Sequence, residues 1–182
     1  MEFFEKARLS IGNSGLRKQV SRISRKKYYS GMNNVKSIGI VWDASRPDEF
    51  QQLSRFHLKM NERNIDVTIL AYYPGKELPD QLTAIRYLNC LRRADLGFFY
   101  KPVSREAGVF ISKKFDVLID TNFEELFPLL YITSLSESKF KVGLYKSEDG
   151  NGTYDLMMDI KKPVKLETYL DEVINYLEMI KS

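Results

Sequence analysis

Two aspartates follow the two clearest apolar runs of the chain and are the residues best placed to do chemistry. Asp43 comes after the run at 38–42, and Asp120 comes after the run at 117–119. Short β-branched runs that alternate with helical patterns are typical of a parallel sheet covered by helices. Ligands of such sheets bind beyond the carboxyl ends of the strands. We therefore predict that both carboxylates lie at that edge and face a shared crevice.

The residues that follow each aspartate could complete a ligand site. Hydroxyl, amide and guanidinium groups beside a helix N-terminus can bind a carboxylate or a phosphate. The same residue types are ordinary caps of turns and helices, and this capping role is the preferred interpretation for the two aspartates and for the residues that follow them. The candidate residues for an unidentified small anionic ligand are Asp43, Ser45, Arg46, Asp120, Thr121 and Asn122.

Metal and cofactor chemistry finds little support in the sequence. The chain has one cysteine, Cys90, and one histidine, His57, whereas zinc sites use several such ligands. The segment after the first apolar run contains no glycine, so a phosphate-binding loop is not predicted. His57 lies near the apolar stripe of its predicted helix and is interpreted as a core residue. We predict no metal and no cofactor, and whether the chain is an enzyme stays open.

The positive charge of the chain is concentrated in its first 36 residues. These hold nine Lys or Arg and two Glu, a net charge of +7, whereas the other residues carry −3. Clustered cations with tyrosines beside them suit an anionic membrane surface or RNA, here through residues 15–29. The alternative, which the pattern favours, is a solvated helix that packs its apolar residues on the domain. The candidate polyanion-binding residues are Arg17, Lys18, Arg22, Arg25 and Lys26.

Hydrophobic periodicity predicts strands at 37–43, 66–73, 96–100, 115–120, 140–145 and 154–160. It predicts helices at 1–9, 15–28, 45–64, 79–93, 122–135 and 165–180. The fold class is α/β: residues 37–182 form a three-layer Rossmann-like domain with a mainly parallel sheet of five or six strands. Residues 1–36 form a basic helical N-terminal extension, and the core is expected to begin near residue 37.

Two resemblances accompany this pattern. The stretches at 36–40, 154–160 and 169–180 resemble an uncharacterised family of small Bacteroidota proteins over nearly the whole chain. That family has no known activity, so it implies no catalytic residue. The stretch at 115–145 looks like the N-terminal half of heptosyltransferase-type glycosyltransferases, whose second domain binds most of the sugar nucleotide. At most, this resemblance implies the acceptor half of such an enzyme.

The sequence favours a non-enzymatic interaction or small-ligand-binding domain. One alternative is an enzyme that acts on an anionic or sugar-derived substrate at the carboxyl edge of the sheet. Another is a membrane- or RNA-associated adaptor that uses the basic N-terminal helix. No apolar run approaches the roughly 20 residues that cross a bilayer, and the acidic start does not suit a signal peptide. We therefore expect a cytoplasmic protein, and the oligomeric state is not predicted.

Overall fold

The computed structural model describes residues 2–29, 31–145 and 152–180. Six strands form one sheet: β1 Ser37–Asp43, β2 Asp66–Tyr73, β3 Leu88–Arg92, β4 Val117–Thr121, β5 Phe140–Leu144 and β6 Leu156–Met158. Their order in the sheet is β3-β2-β1-β4-β5-β6, and every neighbouring pair is parallel. The predicted Rossmann-like α/β architecture is confirmed.

The described residues contain five α-helices: α1 Glu2–Val20, α2 Phe50–Glu62, α3 Arg105–Ser112, α4 Phe127–Leu135 and α5 Leu166–Met179. Helices α2 and α5 pack on one face, and α3 and α4 pack on the other. Helix α1 lies outside α4 as a further layer. Among the described residues, no helix combines the length and the apolar character needed to cross a membrane.

The central strand β1 explains why both faces must be covered. Ile40 and Trp42 point to the α2 and α5 side, whereas Val41 points to the α3 and α4 side, and all three are fully buried. A strand that is apolar on both sides is stable only when helices shield both faces of its sheet.

The third strand was predicted in the wrong place. Residues 88–92 form β3, where a helix was expected over 79–93, and residues 96–100 do not form a strand. The leucines and isoleucine at 82, 85, 88 and 91 are three apart, which imitates a helix. In fact Leu88 and Leu91 reach opposite faces of the sheet, as an edge strand paired with β2 requires.

The N-terminal residues form one helix rather than the two that were predicted. Helix α1 continues through Gly12 and Gly15 and ends at Val20, so the predicted helix at 15–28 is wrong beyond that residue. These glycines let α1 approach its neighbours closely. A Cβ atom on Gly12 would lie 2.7 Å from the carbonyl oxygen of Phe99, and one on Gly15 would lie 2.6 Å from Lys101 Nζ.

The basic segment also contributes to the core. Leu16 packs with Phe127 beside α4, and Met32 and Val35 belong to the core on the α2 and α5 face. These three side chains are at most 5% exposed. The expectation that the core begins near residue 37 is therefore wrong, because apolar side chains well before that point are buried.

Gly12 and Gly108 offer a matched test of how closely α1 docks. The change Gly108→Ala should raise the free energy of unfolding by about 0.5–1 kcal/mol, because alanine favours helix and the site is open. The change Gly12→Ala should lower it by about 1–3 kcal/mol, because the new methyl group meets a backbone carbonyl. Urea denaturation measures both. Equal stabilisation by the two changes would contradict the docking of α1.

Candidate functional site

The strand order places β1 and β4 at the point where the sheet changes direction. The chain leaves β1 toward β2 on one side and leaves β4 toward β5 on the other. The loops after these two strands therefore diverge, and in such sheets ligands bind in the resulting crevice. Both predicted aspartates lie at this carboxyl edge, on adjacent strands.

The pairing of β1 with β4 puts the two carboxylates on one face. Asp120 is level with Val41, and Asp43 is two residues farther along β1. Because side chains alternate along a strand, Asp43 and Asp120 point to the same side, the one that carries α3 and α4. Strand spacing and rise place their Cα atoms about 8 Å apart.

Asp43 holds the turn that follows it. Its Oδ1 atom accepts hydrogen bonds from the backbone N–H of Ser45, at 3.0 Å, and from the Ser45 hydroxyl. Its Oδ2 atom lies 4.0 Å from Arg46 Nε. Asp43 is 2% exposed, whereas Ser45 is exposed. This carboxylate has the capping geometry that was the alternative to a ligand role.

Asp120 is engaged at both carboxylate oxygens. Oδ1 accepts from the backbone N–H of Asn122 at 2.7 Å, and Oδ2 accepts from the Tyr154 hydroxyl at 2.7 Å. The Tyr154 ring lies over Gly143, where a Cβ atom would collide with it. The Tyr169 hydroxyl donates to the Asp120 carbonyl oxygen at 3.0 Å. Burial first, and then the Asp120 charge, raise the pKa of Tyr169 well above its ordinary value.

The side chains of Thr121 and Asn122 form hydrogen bonds with the neighbouring backbone. The Thr121 hydroxyl donates to the carbonyl oxygen of Val41 at 2.8 Å and joins β4 to β1. The Asn122 side chain accepts from the Leu126 N–H at 2.8 Å and donates to the Leu126 carbonyl oxygen at 3.0 Å. Both residues are buried. Their polar groups therefore fix the loop that leads into α4.

Arg46 connects the two loops of the crevice. Its Nη1 atom lies 3.1 Å from Glu49 Oε1, and its guanidinium carbon lies 5.3 Å from the ring centre of Phe123. Nε and Nη2 are buried and have no hydrogen-bond partner. Burial raises the pKa of Glu49 despite the hydrogen bond from Trp42. Arg46 therefore keeps two buried side-chain nitrogens without hydrogen bonds at this edge.

Metal binding has no support in the part of the chain that the structure describes. No group of three or more His, Cys, Asp or Glu side chains there is arranged to hold an ion. The lone histidine, His57, stacks on Tyr87 with ring centres 3.7 Å apart, and the burial of His57 lowers its pKa. A ring packed in this way is consistent with the predicted core role.

A second candidate site lies at the opposite, amino-terminal edge of the sheet. A cleft of about 620 Å³ opens there, between the segment after α1 and the residues that precede β4 and β5. Its charged lining residues are Arg25, Lys26, Lys114, Lys139 and Glu137, and its apolar walls include Ile23, Tyr28 and Leu135. Four cations therefore share the cleft with one acid.

Arg25 forms the fixed wall of this cleft. Its guanidinium donates to the carbonyl oxygens of Ser138, at 3.1 Å, and Lys139, at 2.9 Å, and pairs with Asp155 at 2.7 Å. Its side chain is 8% exposed. Arg25 is therefore a structural clamp, and a Gln at this position should destabilise the fold. Of the other polyanion candidates, Arg17, Lys18, Arg22 and Lys26 are exposed.

Lys139 is paired at the same edge, whereas Lys114 is exposed. Lys139 Nζ lies 2.7 Å from Asp116, which also accepts from the N–H groups of Lys36 and Ser37. Burial alone would raise the pKa of Asp116, but these hydrogen bonds lower it. Neither lysine was among the predicted site residues. The sequence feature that could have identified them is a lysine immediately before a predicted strand, because that position lies at the amino edge of a parallel sheet.

Lys141 is a third feature that the sequence did not predict. It lies within β5 and is 2% exposed, and its ammonium donates to the carbonyl oxygens of Thr133, at 2.7 Å, and Ser134, at 3.1 Å. A cation at the carboxyl end of α4 is favourable. Burial, and next the charge of Arg25, nevertheless lower the pKa of Lys141 to about 7.

Tyr154 should contribute to stability through Asp120. The change Tyr154→Phe should lower the free energy of unfolding by about 1–3 kcal/mol, because a buried carboxylate oxygen loses its donor. The half-exposed Tyr176 provides the control, since Tyr176→Phe should change stability by less than about 0.5 kcal/mol. Chemical denaturation of both variants measures the difference, and equal values would contradict the role of this bond.

Lys141 should give stability a distinct pH dependence. Its pKa is about 7 in the folded chain and near 10.5 when unfolded, so between these values the unfolded state holds more protons. The stability relative to Lys141→Met should therefore rise from about pH 7 to pH 9, by at most about 1.4 kcal/mol per pH unit, and fall as pH drops toward 7. Denaturation at a series of pH values tests this slope. The same replacement at exposed Lys161 should produce none.

The comparisons with known proteins give a family and no activity. No curated protein matches the chain. A family model described as a family of unknown function, DUF6913, matches residues 8–180. The match runs from α1 through α5 and includes both candidate sites. The chain therefore belongs to this family of unknown function.

Proposed function

We propose that the chain is a non-enzymatic binding domain for a small anionic ligand, which it takes up in the basic cleft. The observation that carries this proposal is the cleft itself, because four cations line a space of about 620 Å³. Ligand pockets have volumes of this order and combine apolar walls with a few polar groups. The cleft has that composition.

The charges of the cleft favour an anion of modest size. Arg25 and Lys139 are held by Asp155 and Asp116, so these two cations are fixed in direction. Lys26 and Lys114 are exposed and carry charge that no neighbouring carboxylate in the lining neutralises except Glu137. Fixed cations give a bound phosphate or carboxylate a directed electrostatic field, and exposed lysines can contact it as point charges.

The opposite edge supports a non-enzymatic function. A general acid or base must reach the atom whose proton it transfers. Here Asp43 and Asp120 are nearly fully buried, and each already accepts hydrogen bonds from a backbone N–H and a hydroxyl. Arg46 lies across the crevice against Phe123.

Arg46 supports a second candidate function at that edge. Nε and Nη2 form the side of the guanidinium that binds a carboxylate or phosphate with two parallel hydrogen bonds, and both are without partners. An enzyme that acts on an anionic or sugar-derived substrate would use this fork to bind the anion. Such a substrate would have to displace the side chain from its present position against Phe123.

Binding of small phosphates tests the two candidates. Pyrophosphate, a sugar phosphate and a nucleoside monophosphate are titrated by calorimetry into the full chain. Lys26→Gln with Lys114→Gln should weaken binding at least about 10-fold, because two cations leave the cleft. Exposed Lys76 and Lys161, replaced together by Gln, give a control of equal net charge, and that variant should bind like the original.

The outcomes separate the candidates. Binding that is lost in the cleft variant and kept in the control supports the cleft. Binding that survives in the cleft variant and is lost with Arg46→Gln would move the site to the carboxyl edge and contradict the proposal. No binding of any of the three phosphates at low salt would also contradict it.

A further inference from the structure

The outer side of α1 carries an exposed aromatic and aliphatic patch. Phe3, Phe4 and Ile11 are 79%, 74% and 53% exposed, and Phe98, from the loop after β3, is 69% exposed. We call these four residues the α1 patch. Scattered exposed apolar residues are normal, but a group of large ones on one surface marks an interaction site.

Arg8 joins the parts of the α1 patch. Its Nε atom donates to the Phe98 carbonyl oxygen at 2.7 Å, and its guanidinium lies 4.3 Å from the centre of the Phe98 ring. Positions 4, 8 and 11 are successive neighbours on one side of a helix. The Phe3 and Phe4 rings contact each other edge to face, with centres 6.1 Å apart. The patch therefore combines apolar side chains on one side of α1 with a cation that contacts Phe98.

The charge on the same helix is mostly positive. By sequence, α1 contains Lys6, Arg8, Arg17 and Lys18 against Glu2 and Glu5, which is four cations and two acids. Arg17 and Lys18 are exposed in the last turn, and exposed Arg22 follows the helix. Phenylalanine anchors beside exposed Lys and Arg are typical of helices that lie on an anionic membrane surface.

This combination favours a membrane over other partners. A second copy of the chain would place the same cations against each other, which like charges oppose. RNA would use the cations and could stack bases on the rings, but it has no counterpart for exposed Ile11. An anionic bilayer accepts all of these side chains, because the cations meet headgroups while the apolar groups enter the acyl boundary.

We infer that the chain associates peripherally with anionic membranes through the α1 patch, with the exposed cations of α1 and Arg22 meeting the headgroups. The apolar anchors at positions 3, 4, 11 and 98 differ from the 15–29 segment that the sequence indicated. This association is separate from ligand binding in the cleft, since the patch and the cleft lining share no residue.

Flotation with vesicles tests the inference on the full chain. Vesicles of phosphatidylcholine alone are compared with an equal mixture of phosphatidylcholine and phosphatidylglycerol, each at low and high salt. The original chain should float only with the anionic vesicles, and less at high salt. Phe3→Ser with Phe4→Ser should reduce the bound fraction at least about 10-fold, because two anchors are lost. Tyr176→Ser with Met179→Ser removes two exposed apolar side chains of α5 and should change nothing.

Fluorescence supplies a second measurement that does not depend on loss of binding. The only tryptophan of the chain, Trp42, is fully buried, so its emission should not respond to vesicles. Phe4→Trp places a reporter in the α1 patch, and its emission should shift to the blue with anionic vesicles. The same reporter at exposed Met179 should not shift.

Three results would overturn the inference. One is the absence of flotation of the original chain with anionic vesicles at low salt. Another is flotation that the Phe3 and Phe4 changes leave intact, with no shift of the reporter at position 4. The third is salt-sensitive binding of generic RNA without any binding of vesicles. None of these results bears on the phosphate titrations, so the two proposals fail independently.

Discussion

The central constraint of this structure is the burial of β1 on both of its faces. A strand without a polar face must have helices above and below it, and parallel neighbours require crossovers that supply those helices. This arrangement separates the two edges of the sheet. The turns after the strands gather at one edge and the turns before them at the other. The two candidate sites are consequences of that separation, because each collects residues from distant parts of the chain at one edge.

The two edges use charge in opposite ways. At the carboxyl edge, the carboxylates are buried, and their oxygens accept hydrogen bonds from backbone N–H groups and hydroxyls. These hydrogen bonds fix the conformation of the loops. At the amino edge, Asp116 and Asp155 also bind structural partners, yet the lysines around them remain in contact with a cleft. An unpaired charge destabilises the fold more when it is buried than when it is exposed. The exposed lysines of the cleft can therefore stay unpaired with a smaller loss of stability than the buried carboxylates could. The basic edge is therefore the one better suited to capture a ligand.

Most of the fold was predictable from local patterns, and the failures have physical causes. Strands β1 and β2 match their predicted residues because each is a continuous apolar or β-branched run. Strand β3 is an edge strand, so only half of its side chains are buried and its leucines imitated a helix. Pro128 lies in the first turn of α4, where it is tolerated, and not inside the longer helix that was predicted. Helix α1 was predicted as two helices because its glycines resemble a break. These glycines instead allow close contact with Phe99 and Lys101, which the sequence alone does not reveal.

The candidate sites, like the fold, were predictable from the sequence only in part. Asp43 and Asp120 could be placed at one edge because parallel strands end together, and strand register confirms that placement. Their hydrogen bonds to Ser45 and Tyr154 depend on loop geometry and could not be read from residue types. The cleft was missed because it joins cations far apart in sequence.

The clamp that Arg25 makes on Asp155 joins residues 130 positions apart. On an emerging chain, the segment after α1 is synthesised long before its partners, because the Ser138 and Lys139 carbonyl oxygens and the Asp155 carboxylate that hold Arg25 all come 113 to 130 positions later. The wall of the cleft is therefore among the last parts of the molecule to be completed. A ligand of the proposed kind would meet a finished wall only on chains whose synthesis has passed Asp155.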